Sequence, residues 1–214
     1  MPFAALLVVV AIQPSETERF AKWEKEVAAI EKRLKDVRPK PDGVLFVGSS
    51  SIRLWDLAKS FPDKGYLNAG FGGSEIRDST HFVPRLVTPF APKAIVFYAG
   101  DNDIATGRKP EQIAADFKAF CEAVHTDLPK CRVLYIPVKP SLARWAKFDE
   151  QKKANALVKE YCGTNEWLGY IDVVPAMLGP DGKPIPELFA KDGLHLSPAG
   201  YEKWTALVKT ALEK

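Results

Sequence analysis

From residue 44 to the C-terminus, short apolar runs alternate with longer stretches of helical periodicity. The runs cover 44–47, 66–69, 94–99, 132–137 and 169–173, and most are apolar at successive positions instead of every second one. A strand that is apolar on both faces belongs in a parallel sheet covered by helices on each side. Between the runs, helices are predicted at 52–60, 75–86, 110–127 and 146–161. A last helix from Ser197 to about Glu213 starts with a Ser-Pro cap pair and turns Tyr201, Trp204, Leu207, Val208 and Leu212 inward. Upstream, Phe20, Trp23, Val27, Ile30 and Leu34 recur at helical spacing, so 15–36 reads as a packing helix with Ser15 and Glu18 as a capping box. Pro39, Pro41 and Gly43 stop it. The alternation predicts an α/β protein: a three-layer α/β/α sandwich around a five-stranded parallel sheet, with a flavodoxin-like strand order.

At 214 residues the chain suits one domain, expected over 15–214, that buries its core without staples. Residues 3–12 are a ten-residue apolar run, too short to span a bilayer and the right length for the core of a secretory signal. No Lys or Arg precedes it, and Val9-Val10-Ala11 is a weak cleavage site. Two readings of 1–14 stand: a signal peptide of a secreted or periplasmic protein, or a hydrophobic arm on a cytoplasmic one. The 30 basic and 27 acidic residues intermingle, which gives no reason to expect nucleic acid. Cys121, Cys131 and Cys162 fit neither a disulfide framework nor paired metal ligands. Separate buried thiols are expected, with a Cys121–Cys131 bridge as the alternative in an exported chain.

Three turns at the ends of the first three runs carry the candidate chemistry. Gly48-Ser49-Ser50-Ser51 breaks a buried strand and opens a helix, where backbone N–H groups and the positive helix end can hold an anion. A serine there is a helix cap, a phosphate cradle lacking the P-loop lysine, or a nucleophile. Asn68-Ala69-Gly70-Phe71-Gly72-Gly73-Ser74 leaves N–H groups unshielded by side chains. In Gly100-Asp101-Asn102-Asp103 the amide of Asn102 forms an Asx turn or donates to an oxyanion. The fourth element, Asp192-Gly193-Leu194-His195, precedes the last helix, and a carboxylate three residues before an imidazole can orient that ring. In a parallel sheet all four gather at one edge.

These four blocks, in this order from about Val44 onward, resemble the SGNH hydrolases, the GDSL-type esterases and lipases. The phrases Asn68-Ala69-Gly70-Phe71-Gly72-Gly73 and Asp192-Gly193-Leu194-His195-Leu196-Ser197 are most similar to the platelet-activating-factor acetylhydrolase-like branch. The resemblance implies an SGNH hydrolase fold and a serine esterase of small acyl, above all acetyl, esters. It makes Ser50 the nucleophile, His195 the base and Asp192 the orienting acid. The oxyanion hole is formed by Ser50 N–H, Gly73 N–H and Asn102. One departure is visible: the family's first block reads Gly-Asp-Ser, and Ser49 stands where the Asp would be.

No cofactor and no metal is expected. The absence of a lid-like apolar insertion argues against an interfacial lipase and against stable membrane insertion. The expected partner is a small acyl ester, with acetylated carbohydrate as the candidate; lysophospholipids, thioesters and a non-catalytic phosphate- or carbohydrate-binding role are the alternatives. The loops 140–147 and 174–194 follow strand ends and are candidate substrate walls. Arg53 is expected to reach an acid such as Glu75, Trp55 to sit in the core, and Trp145 to pack or to stack on substrate. Asp101 and Asp103 are expected to shape the turn around Asn102, and His81 and His125 to be surface or core residues without a ligand.

Overall fold

The computed structural model describes residues 16–37 and 43–213. The readings placed on 1–14, the Ser15 half of the capping box and the Pro39 and Pro41 stops lie outside those residues. Five parallel strands, β1 (Val44–Gly48), β2 (Leu67–Gly70), β3 (Ala94–Tyr98), β4 (Arg132–Tyr135) and β5 (Leu168–Tyr170), lie in the order β2-β1-β3-β4-β5. This is the flavodoxin-like order expected from the alternation.

Successive strand residues point to opposite faces, and both faces are apolar. Leu45, Val47, Ile95, Phe97, Val133 and Tyr135 meet one layer of helices. That layer holds α2 (Glu24–Asp36), α5 (Ile76–His81), α6 (Val83–Leu86), α8 (Pro110–Asp127) and α9 (Phe148–Cys162). Phe46, Val96, Tyr98, Leu134 and Ile136 face the other layer, made by α3 (Ser50–Arg53), α4 (Leu57–Ser60) and α10 (Pro198–Leu212), where Trp204 is fully buried. Interior packing on both sides fixes the sheet, so the carboxyl ends of its strands form a rigid rim.

Several predicted helices are shorter or divided. The N-terminal one breaks at Trp23 into α1 (Glu16–Ala21) and α2. The 52–60 helix splits because Asp56 caps a new one, its side chain accepting from the Lys59 N–H at 3.0 Å. The 75–86 helix begins one residue later, with Glu75 and Asp78 forming a capping box, and breaks at Phe82. A five-residue helix that the sequence reading had as a turn, α7 (Asp101–Ala105), follows β3. All three cysteines are free and buried, so Cys121 and Cys131 form no bridge.

Candidate active site

The register sets the site. Gly48 pairs with Gly70 on one side and Tyr98 on the other, so the turns after β1, β2 and β3 leave the sheet at the same level. Gly48 makes the first of them possible: its φ is +137°, and a Cβ there would stand 1.9 Å from the carbonyl oxygen of Tyr98. The chain then turns at Ser49, whose N–H donates to that carbonyl at 2.9 Å, and enters α3 with Ser50 as its first residue. The Ser50 N–H, in the first turn of α3, therefore has no place in the helix ladder. Asn68 fastens α3 to β2, its side-chain amide donating to the carbonyls of Ile52 at 2.7 Å and Trp55 at 3.2 Å.

His195 reaches the same place from the far end of the chain. Its loop closes on itself through Ala190 N–H to the His195 carbonyl at 2.8 Å and Gly193 N–H to the Ala190 carbonyl at 2.9 Å. Ser197 caps α10, accepting from Gly200 N–H at 3.2 Å, and the Tyr201 hydroxyl donates to the Ser51 carbonyl at 2.9 Å. Helix α10 and helix α3 are thereby held together. His195 Nε2 lies 3.0 Å from Ser50 Oγ, and its Nδ1 lies 2.6 Å from Asp192 Oδ2. The other Asp192 oxygen accepts the N–H groups of Leu194 at 2.9 Å and His195 at 3.0 Å. The hydrogen bond to the His195 ring, helped by these two N–H groups, lowers the Asp192 carboxyl to about 2. A ring fixed at Nδ1 by a carboxylate presents Nε2 to the hydroxyl as a proton acceptor.

Gly73 stands on the turn after β2, and Asn102 in the first turn of α7 after β3. The φ of Gly73 is +77°, and its N–H has no acceptor among the described residues. Asn102 donates from Nδ2 to the Ser74 carbonyl at 3.0 Å, which leaves its second amide hydrogen for another acceptor. The structure thus brings Ser50, Asp192 and His195 into one hydrogen-bonded line and sets Gly73 and Asn102 beyond the carboxyl ends of β2 and β3 at the same rim. Ser49 is buried and makes no side-chain cap bond.

Other expectations need correction or addition. Arg53 does not reach Glu75: its Nε lies 3.9 Å from Glu26, while Glu75 is held by Arg19 and Arg77 at 2.9 and 3.0 Å. Trp55 is core, and Trp145 stacks on Phe148 with ring centroids 4.6 Å apart. His81 stacks on Phe20 and His125 on Trp167, and among the described residues no three or more His, Cys, Asp or Glu side chains are grouped as metal ligands would be. Sequence reasoning missed Lys139 and Arg144. Lys139 is buried and Arg144 partly so, and both bind Asp101, at 3.1 and 2.7 Å. A lysine set inside the run Ile136-Pro137-Val138-Lys139-Pro140 at a strand's carboxyl end was the available signal. The exposed side chains of Leu54 and Leu142 flank this rim, Leu54 one turn beyond Ser50 and Leu142 against Gly193.

The model of the GDSL-like Lipase/Acylhydrolase family matches residues 51–203, beginning one residue after Ser50. None of the curated protein sequences matches the chain. Among solved structures, one named as a platelet activating factor from Streptococcus pneumonia superposes with a TM-score of 0.78 at 21% identity, covering 92% of this chain and 97% of that one. A GDSL-like lipase from Bacteroides thetaiotaomicron gives 0.70 at 22% identity, covering 92% and 98%. A carbohydrate esterase family 3 protein from Talaromyces cellulolyticus gives 0.65 at 15% identity, covering 81% and 97%. These likenesses are likenesses of fold.

Proposed function

The chain belongs to the GDSL-like lipase/acylhydrolase family and is a carboxylic ester hydrolase, and we propose that it cleaves small acyl esters, acetyl esters first, through an acyl-enzyme on Ser50. The observation that carries this reading is the continuous line from Asp192 Oδ2 through the ring of His195 to Ser50 Oγ.

His195 Nε2 takes the hydroxyl proton as Ser50 Oγ attacks the ester carbonyl, and Asp192 keeps the ring in the tautomer that can accept it. The carbonyl oxygen, now an alkoxide, is met by Ser50 N–H, Gly73 N–H and the free amide hydrogen of Asn102. Collapse expels the alcohol, which leaves with the proton from His195. Water then repeats the sequence on the acyl-enzyme and releases the acid. Preference for a short acyl group is supported by the sequence, which offers no lid-like apolar insertion to cover a long chain. An acetylated carbohydrate is the proposed natural substrate class, in keeping with the fold shared with a carbohydrate esterase. A non-catalytic module would leave the imidazole idle, whereas here it bridges an acid and a hydroxyl.

The test is treatment with a fluorophosphonate, followed by intact mass and peptide mapping of the native protein and of Ser50→Ala. One adduct on Ser50, absent from the variant, is expected, together with faster turnover of p-nitrophenyl acetate than of its longer homologues. No adduct, or ester cleavage undiminished in Ser50→Ala, would overturn the reading.

A further inference from the structure

Behind Asn102 lies a chain of charges that the proposed acyl transfer does not by itself require. Asp101, the neighbour of Asn102 on α7, is buried between two cations. Lys139 Nζ, itself buried, lies 3.1 Å from Asp101 Oδ2 and donates to the Tyr98 hydroxyl at 3.0 Å. Arg144 Nη1 lies 2.7 Å from Asp101 Oδ1, and its Nη2 donates to Asn102 Oδ1 at 3.1 Å. Burial alone would raise the Asp101 carboxyl, but the attraction of Lys139 and Arg144 outweighs it and holds the group below its ordinary value. Asp101 is thus an anion that fixes the guanidinium from behind.

The consequence falls on the amide of Asn102. Its oxygen is claimed by Arg144 and one of its N–H bonds by the Ser74 carbonyl, so the plane and the orientation of the group are both set. An amide whose oxygen accepts from a cation is also a stronger donor through its nitrogen, because the charge polarises it. We propose that Arg144 is a positioning residue for the oxyanion hole, with Lys139 and Asp101 as its anchor: it holds Asn102 with one N–H aimed at the reacting carbonyl and strengthens that donor. This inference rests on the serine esterase reading above. Arg144 itself need not touch substrate. It acts through an interaction that matters most when negative charge develops, so its removal should lower kcat and leave KM nearly unchanged.

A double-mutant cycle on p-nitrophenyl acetate hydrolysis tests this, using Arg144→Ala, Asn102→Ala and the pair, with fluorophosphonate labelling of Ser50 and thermal melts on each. The expected result is a fall in kcat of about tenfold or more for Arg144→Ala, a fraction of the hundredfold or greater loss that removal of a whole donor brings. In the Asn102→Ala background the same change should cost less than about twofold, since the group it positions is gone. Arg144→Lys should recover only part of the rate, because one ammonium cannot fork to both Asn102 and Asp101; it also carries the test if the alanine variant fails to fold. Equal losses from Arg144→Ala with and without Asn102, or a loss seen in KM alone, would overturn the proposal while leaving the esterase reading intact. Failure of the native protein to label at Ser50 would overturn both.

Discussion

His195 Nε2 and Ser50 Oγ stand 3.0 Å apart although 145 positions separate them in the chain. The contact depends on α10 being pinned to α3 through Tyr201 and the Ser51 carbonyl. Replacing either partner with alanine is expected to reduce kcat by about 10⁴ or more, since each is useless without the other. Neither change should disturb the fold, because Ser50 and His195 are only partly buried. Initial rates with p-nitrophenyl acetate, read beside thermal melts, check both halves of the expectation.

Asp192→Asn should be milder than His195→Ala. On the proposed mechanism the carboxylate orients and steadies the ring but moves no proton, and half of its side chain is open to water that can partly replace it. Equal losses in the two variants would contradict that division of roles. The carboxyl, lowered to about 2 by the His195 ring, also contributes to stability. That contribution is complete above the unfolded carboxyl value of about 4 and fades as the pH falls toward 2. The melting temperature of the native protein should therefore exceed that of Asp192→Asn at pH 6 by more than it does at pH 3.

Asp103 runs the other way. It is wholly buried, and burial raises its carboxyl to about 7, with Glu75 adding to the rise and the Ile76 N–H opposing it. Between about pH 4 and 7 the folded chain holds a proton that the unfolded chain has released, so stability falls as pH rises through that window. Asp103→Asn keeps an oxygen for Ile76 and removes the titration. Denaturation at pH 5 and pH 8 should show a decline in the native protein, of no more than about 3 kcal/mol, and almost none in the variant.

Gly48→Ala should be severe. The added methyl would stand 1.9 Å from backbone, at a φ that side chains avoid. A loss of about 3 kcal/mol or more is expected from urea unfolding, with Ser50 labelling impaired in whatever folds.

The sheet was legible because burial on both faces writes itself into the sequence as unbroken apolar runs. Val44 to Gly48 and Ala94 to Tyr98 were placed within one residue, while β5 proved shorter and began one residue earlier. The four blocks that carry the candidate residues were legible through their glycines and polar residues. Helix breaks were harder: Asp56 caps a helix inside what reads as a single periodic stretch, and α7 is too short for any period to register. Lys139 and Arg144 left the weakest trace. Arg144 lies 42 positions from Asn102, and only tertiary contact makes a loop arginine into part of the site.

The loop that carries Arg144 is bonded to the loop that carries His195, the Ala143 N–H donating to the Gly193 carbonyl at 3.0 Å. On the proposed mechanism, that bond ties the segment bearing the general base to the segment bearing the positioning arginine. A backbone hydrogen bond of this kind contributes about 1 kcal/mol, enough to favour the two loops keeping register in the arrangement seen here.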